Sequence, residues 1–267
     1  MIKTAVVGAA GRMGRRLVAN ICASDDLQLA GALEISTCPL LGQDAGIVAG
    51  AGETGIMISD DAEKVFANCD AIINFSTTGV VETTRLAVKN NCSVVIGTTA
   101  LPDADKQALK DMAANGAKIV FAPNMSVGVN LLFYLSGKAA EILGEDFDIE
   151  IVEMHHNQKK DAPSGTAERL GQILCAARGL DYKKDVRHGR EGICGARTRK
   201  EIGMHALRGG DVVGDHTVMF AANGERVELT HKASSRDTFA RGALLAVRFL
   251  AAAPSGIYDM QDVLKLR

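Results

Sequence analysis

Thr4-Ala5-Val6-Val7-Gly8-Ala9-Ala10-Gly11-Arg12-Met13-Gly14, near the start of the 267-residue chain, passes from an apolar run into three closely spaced glycines. Residues 4–7 predict a short buried strand. Met13, Leu17 and Ile21 then recur at helical spacing, so a helix follows. Glycine between a strand and a helix permits a tight turn and close approach of the backbone to a pyrophosphate, which sits at the positive helix N-terminus. The middle glycine of the usual G-x-G-x-x-G is displaced here. Glu34 lies just past the next apolar run, residues 27–33, where an acid can accept hydrogen bonds from ribose hydroxyls. A glycine-rich turn without a ligand is the competing reading. Alone, the motif points to a dinucleotide and says nothing about a reaction.

Working outward, apolar runs at residues 71–75, 93–96 and 119–122 alternate with helical patterns at 81–89 and 103–114. That order predicts a Rossmann-like, doubly wound parallel sheet covered on both faces, with right-handed crossovers. Residues 42–55, rich in glycine and alanine, are expected to be a loop. The pattern changes after Pro123. Residues 126–130 read as a hinge, followed by a helix over 131–143, a strand over 149–153 and a helix marked by Leu170, Ile173, Leu174 and Ala177. Strands are expected at 211–213, 217–221 and 226–231, with Asn223-Gly224 as a hairpin turn. A last helix, residues 239–250, is apolar enough to pack back on the first domain. The expectation is a dinucleotide-binding domain of residues 1–126 completed by 237–267, and a smaller α+β substrate domain of 127–236 with a mostly antiparallel sheet.

Length favours two domains of this kind. A net charge of -2 offers no global attraction to nucleic acid or an anionic membrane, so an anionic substrate must be held by local cations. None of the six cysteines forms a CxxC pair or takes zinc-finger spacing with histidine. Gly8 interrupts the N-terminal apolar run too soon for a signal peptide. No stretch approaches the ~18 apolar residues of a membrane span. These features together lead us to expect a reducing cytoplasm.

The chemically rich segment is Glu153-Met154-His155-His156-Asn157-Gln158-Lys159-Lys160-Asp161-Ala162-Pro163-Ser164-Gly165-Thr166-Ala167. Histidine exchanges a proton near neutral pH. Lysine offers a cation to a carboxylate or to developing negative charge. Gly165 and Thr166 precede a helix, so their N–H groups could hold an anion. The segment suits a small dianion that must be protonated. Plainer readings exist: Ser164 or Thr166 could simply cap the helix, and the lysines could be a solvated charge run. A metal site is disfavoured, because adjacent histidines do not share a helix face and no acidic ligand cluster accompanies them. Gly97-Thr98-Thr99 and Ala122-Pro123-Asn124-Met125 each follow an apolar run, at the strand ends where parallel sheets bind ligands.

Residues 153–167 resemble the signature E-x-H-H-x-x-K-x-D-x-P-S-G-T-A of the 4-hydroxy-tetrahydrodipicolinate (dihydrodipicolinate) reductases, with every fixed position matched. The resemblance extends to Gly11-Arg12-Met13-Gly14, Gly97-Thr98-Thr99, residues 126–130 and His231-Lys232-Ala233-Ser234-Ser235-Arg236. It implies hydride transfer from NADH or NADPH, without a metal, to the cyclic product of dihydrodipicolinate synthase, giving tetrahydrodipicolinate in lysine and diaminopimelate biosynthesis. By the same resemblance, His155 is the acid and Lys159 its partner. His156, Lys159, Ser164, Gly165 and Thr166 hold the substrate carboxylates. Gly8, Ala9, Ala10, Gly11, Arg12, Met13, Glu34, Gly97, Thr98, Thr99, Ala122, Pro123, Asn124 and Met125 contact the cofactor. A homotetramer assembled through the substrate-domain sheets is implied as well.

Two positions depart from many relatives. Ile35 stands where an arginine able to pair with a 2′-phosphate often follows the acid, and Asn74 stands where aspartate often precedes Phe75. Two other readings compete: a non-catalytic nicotinamide-sensing module, and another two-domain dehydrogenase such as one acting on an amino acid.

Overall fold

In the computed structural model, which describes residues 1–98 and 101–266, the first apolar run forms β1 (Ile2–Val7), its last four residues buried. Then come α1 (Arg12–Cys22), β2 (Leu27–Leu33), α2 (Ala45–Ala49), β3 (Ile58–Ser59), α3 (Ala62–Phe66), β4 (Ala71–Asn74), α4 (Val80–Lys89), β5 (Ser93–Ile96), α5 (Asp103–Ala114) and β6 (Lys118–Phe121). The chain continues through α6 (Val127–Leu143), β7 (Asp148–His155), α7 (Gly165–Arg178), α8 (Tyr182–Asp185), β8 (Val186–His188), β9 (Ile202–Arg208), β10 (Gly214–Ala222) and β11 (Glu225–Ala233). It ends with α9 (Asp237–Ala252), β12 (Gly256–Tyr258) and α10 (Met260–Val263). Two compact units result: Met1–Val127 with the residues from Arg236 onward, and Gly128–Ser235.

The first unit holds a parallel sheet in the order β12-β6-β5-β4-β1-β2-β3. Side chains alternate between the faces of a strand, so each short apolar run feeds two cores. Val6, Ile73, Val95 and Val120 meet α1, α9 and α10 through Leu17, Ile21, Leu244, Val247 and Met260. Their neighbours Ala5, Val7, Ile72, Val94, Ile96 and Ile119 face the opposite way, toward Phe66 and Leu109. That is why these strands read as unbroken apolar runs. Strand order reverses between β1 and β4, the switch point where such sheets bind ligands. Residues 42–55 hold more structure than a loop. The Asp44 carboxylate caps α2, accepting from Gly46 N at 2.8 Å and Ile47 N at 3.0 Å, and its other oxygen accepts from Gly55 N at 2.7 Å.

The second unit is a five-stranded sheet in the order β11-β10-β7-β9-β8. Its inner face packs Ile149, Ile151, Val218 and Phe220 against Phe133, Leu170 and Leu174 of α6 and α7. Two expectations need correction here. Residues 211–213 lie in the turn before β10 rather than in a strand, after Gly210 at φ +52°. The sheet is mixed rather than mostly antiparallel: β11/β10 and β10/β7 run antiparallel, β7/β9 and β9/β8 parallel. The reason is the long crossover through α7, α8 and β8, which returns β9 alongside β7 in the same direction. The expected hinge at 126–130 contains the first turn of α6.

Candidate active site

In the first unit, Gly8 turns the chain at φ +75°. A Cβ on Gly14 would lie 2.0 Å from the Gly8 carbonyl oxygen and 2.7 Å from Ala9 Cα, so only glycine lets α1 start this close to the turn. Gly11 is the N-cap of α1 and provides no side-chain cap. Glu34 reaches across to the turn and accepts from Ala10 N at 2.9 Å. Glycine turn, helix N-terminus and carboxylate together fit a dinucleotide, with pyrophosphate at the head of α1 and ribose at Glu34.

Asn74, buried at the end of β4, accepts from Ser76 N at 2.8 Å and from Ser76 Oγ at 2.6 Å. Thr98 Oγ1 donates to Ser76 O at 2.6 Å, which ties the loop after β5 to the loop after β4. Gly97 lies under the Phe75 ring, which a Cβ there would meet at 2.3 Å. Ala122 and Met125 are buried in the core, so only their backbone could face a ligand. Pro123 is exposed, and Asn124 accepts from Ser126 N at 2.9 Å. Thr99 lies outside the described residues.

In the second unit, Glu153 and His155 are two residues apart on β7 and so share a face. Glu153 is fully buried. Its Oε2 meets His155 Nδ1 at 2.6 Å, and Arg208 of β9 donates to both carboxylate oxygens at 2.9 and 3.0 Å. Ser164 N donates to Oε1 at 3.1 Å. Burial pushes the Glu153 carboxyl up, but the hydrogen bonds from His155 and Arg208 outweigh it and hold it down at about 2. Arg208 also donates to Asp161 O at 2.7 Å, pinning the loop to the sheet. With Nδ1 engaged, Nε2 is the ring nitrogen of His155 left for chemistry, and it faces Gly214, where a Cβ would lie 2.9 Å away.

Lys159 is paired with Asp161 at 2.8 and 2.9 Å. His156 is half-buried on the same loop. Ser164 caps α7 by accepting from Ala167 N at 3.2 Å, and its Oγ also lies 3.0 Å from His216 Nε2. His216 is buried, which with the neighbouring His155 pushes its ring down to about 3, so it is neutral at physiological pH. The six residues expected to handle substrate thus lie at the end of β7, on the loop that follows it and at the start of α7 in this unit. Glu153's anchoring role, Arg208, Asp161 and His216 were missed. Only the i, i+2 spacing of Glu153 and His155 signalled any of this, since Arg208 and His216 arrive through strand pairing. Among the described residues, no group of three or more His, Cys, Asp or Glu could hold a metal ion.

A parallel sheet with its glycine turn at the switch point, joined to a unit bearing an oriented histidine, a lysine and a helix N-terminus, defines a dinucleotide-dependent oxidoreductase. The comparisons give the particular family. The description "Dihydrodipicolinate reductase, N-terminus" matches residues 2–125, and "Dihydrodipicolinate reductase, C-terminus" matches residues 128–264. The chain belongs to the dihydrodipicolinate reductase family, whose members use NAD(P)H. It is 52% identical to a 4-hydroxy-tetrahydrodipicolinate reductase of Syntrophotalea carbinolica and 48% identical to one of Geotalea daltonii, each alignment covering 100% of both chains. In fold it is similar to a dipicolinate-bound dihydrodipicolinate reductase from Paenisporosarcina sp. TG-14, at TM-score 0.76 and 24% identity over 98% of each chain. It is also similar in fold to an amine dehydrogenase from Mycobacterium smegmatis, at TM-score 0.58 and 18% identity over 96% of this chain and 94% of that one.

Proposed function

We propose that this chain reduces 4-hydroxy-tetrahydrodipicolinate to tetrahydrodipicolinate with NADH or NADPH, in lysine and diaminopimelate biosynthesis. One water leaves, one hydride and one proton are taken up, and the oxidised nicotinamide is released. The observation that carries the reading is the Glu153–His155 pair at the head of the lysine- and serine-bearing loop. The nicotinamide, when bound, supplies the hydride. His155 supplies the proton: its Nδ1–H is held by Glu153, so the Nε2–H of the protonated ring is the one that can leave. Lys159 exchanges Asp161 for a substrate carboxylate and stabilises charge that develops on the ring. His156, Ser164 and the N–H groups of Gly165 and Thr166 hold the carboxylates at the start of α7. The residues of the glycine turn, Glu34, Gly97, Thr98, Thr99 and residues 122–125 hold the dinucleotide.

A dicarboxylate small molecule, rather than nucleic acid or a membrane, is the partner that the near-neutral net charge and the local cations favour. No helix of the described residues is long and apolar enough to cross a membrane. The cysteine pattern supports a cytoplasmic setting. The family resemblance supports a homotetramer formed through the outer face of the β7–β11 sheet, where Glu150, Val152 and Met154 lie half-buried.

The test is nicotinamide oxidation with freshly generated substrate, comparing wild type with His155→Gln. The variant should keep its cofactor affinity and lose roughly 10²–10⁴-fold in kcat, the usual range for a lost general acid. Retention of more than about a tenth of wild-type kcat by a folded, cofactor-binding variant rules His155 out as the acid. A nicotinamide-sensing module would bind cofactor and turn nothing over.

A further inference from the structure

The hydroxyl of Ser164 has two neighbours whose roles settle where its proton goes. Ala167 N donates to Oγ at 3.2 Å, so one acceptor site is filled by the helix cap. His216 Nε2 lies 3.0 Å from the same Oγ, and either atom could be the donor. Both side chains are almost fully buried, Ser164 and His216 each at 3% exposure. His216 is held in place from three sides. It sits on β10 opposite Glu153 of β7 and opposite His231 of β11, and its ring meets that of His155 edge-on at 5.2 Å.

A neutral imidazole carries one N–H and one bare nitrogen. The Nδ1 of His216 is buried and has no hydrogen-bond partner among the described residues. If the proton were on Nδ1, a buried N–H would be orphaned. If it is on Nε2, only an acceptor is left over. Orphaned buried N–H groups are the rarer and costlier of the two. Desolvation disfavours the doubly protonated ring, so that form does not compete.

We infer that His216 is a positioning residue: it donates Nε2–H to Ser164 Oγ and thereby turns Ser164 into a pure donor aimed at a substrate carboxylate. With Oγ accepting from both Ala167 N and His216 Nε2, its acceptor sites are full. The one hydroxyl hydrogen must then point elsewhere, toward a group that only accepts. An ionised carboxylate is such a group, whereas an amide or hydroxyl at that place could also present a hydrogen that Ser164 cannot receive. The inference rests on the reading that Ser164 contacts substrate. It adds a second layer to it, a buried histidine that selects for the ionised form of the ligand.

Two measurements on the full-length protein test it. Nitrogen chemical shifts of His216 in the ligand-free protein report the tautomer directly, without reference to activity. The expected result is the Nε2–H form at pH 7, and the Nδ1–H form overturns the inference. The second is binding of pyridine-2,6-dicarboxylate by calorimetry to wild type, Ser164→Ala, His216→Leu, His216→Gln and the double variant Ser164→Ala/His216→Leu. His216→Leu should weaken binding about tenfold, the effect of one mis-set hydrogen bond. His216→Gln, whose amide can donate from nearly the same place, should recover most of the loss, which a purely structural role would not give. In the Ser164→Ala background, His216→Leu should cost nothing further. Additive losses mean that His216 acts otherwise than through Ser164, and overturn the inference. Unchanged binding by Ser164→Ala overturns the reading of Ser164 itself, and with it the role given to His216, while the tautomer stands as measured.

Discussion

Gly214 occupies the space in front of the proposed acid. A Cβ there would lie 2.9 Å from His155 Nε2 and 3.3 Å from Cδ2, and the backbone at this position lies outside the left-handed region, so alanine is conformationally acceptable. Gly214→Ala should therefore fold with a Tm within a few degrees of wild type, yet displace the ring and lower kcat by about tenfold or more. Unchanged kcat would show that Nε2 does not work from this position. Cofactor choice is a second residue-scale question. Glu34 sits against the glycine turn through Ala10 N, where it suits a free 2′-hydroxyl and repels a 2′-phosphate, and Ile35 adds no charge. Steady-state kinetics should show NADH used at least as well as NADPH. An NADPH advantage in kcat/KM above about tenfold, or ~1.4 kcal/mol, would mean that Arg12, Ser36 or Thr37 holds the phosphate instead. The loop residues proposed for the site stood out in the sequence because they are contiguous and chemically conspicuous. Glu153 had a faint signal in its spacing from His155. Arg208 and His216 had none, because strand register brings them in from 53 and 61 positions beyond His155, and register is not written in local sequence.

At the scale of elements, the contact between β1 and α1 depends on one glycine. The Gly8 oxygen would meet a Cβ on Gly14 at 2.0 Å, and that oxygen is backbone, which cannot swing aside. Gly14→Ala must push α1 away from the turn. It should lower stability by about 1–3 kcal/mol, the usual cost of overpacking, and weaken dinucleotide binding, as read by thermal melting and by cofactor titration. Normal affinity in a normally stable variant would remove Gly14 from the cofactor reading. The parallel sheet was readable because each strand buries both faces, as Val94, Val95 and Ile96 do, and so presents a continuous apolar run. The two-residue β3 and the edge strand β12 offered no such run. Ile202–Arg208 was not singled out as a strand, because it mixes buried Ile202, Gly203 and Met204 with an exposed Leu207. Nor could α2 be seen among the glycines and alanines of 42–55. What orders that segment is the Asp44 carboxylate gathering N–H groups from both ends of it.

For the whole molecule, the same buried carboxylate that orients His155 makes stability depend on pH. Glu153 is held at about 2, from an ordinary value of 4.5, by a balance in which hydrogen bonds from His155 and Arg208 overcome burial. Glu150 is held at about 2 in the same way, burial being outweighed by Arg190, His205 and Arg197. Folding therefore favours the ionised form of both groups. Their contribution is complete above the unfolded value, falls as pH drops through the interval from about 4.5 to about 2, and is absent below it. Glu153 has no exposed surface, so solvent screening removes little of its share. At about 1.4 kcal/mol for each tenfold change in proton affinity, that share is on the order of 3 kcal/mol. Wild-type protein should accordingly lose unfolding free energy steadily below pH ~5. Glu153→Gln should be less stable at neutral pH, since Arg208 is then left half-buried without its counter-charge. Its deficit should shrink as pH falls below about 4.5, because the carboxyl of the unfolded wild type takes up a proton while the folded one stays ionised, which removes the advantage of the charge. Urea denaturation of both at pH 7, 5 and 3 measures this. A deficit that stays constant across the three pH values would show that the carboxylate's charge contributes nothing, and that Glu153 acts in the fold by shape alone.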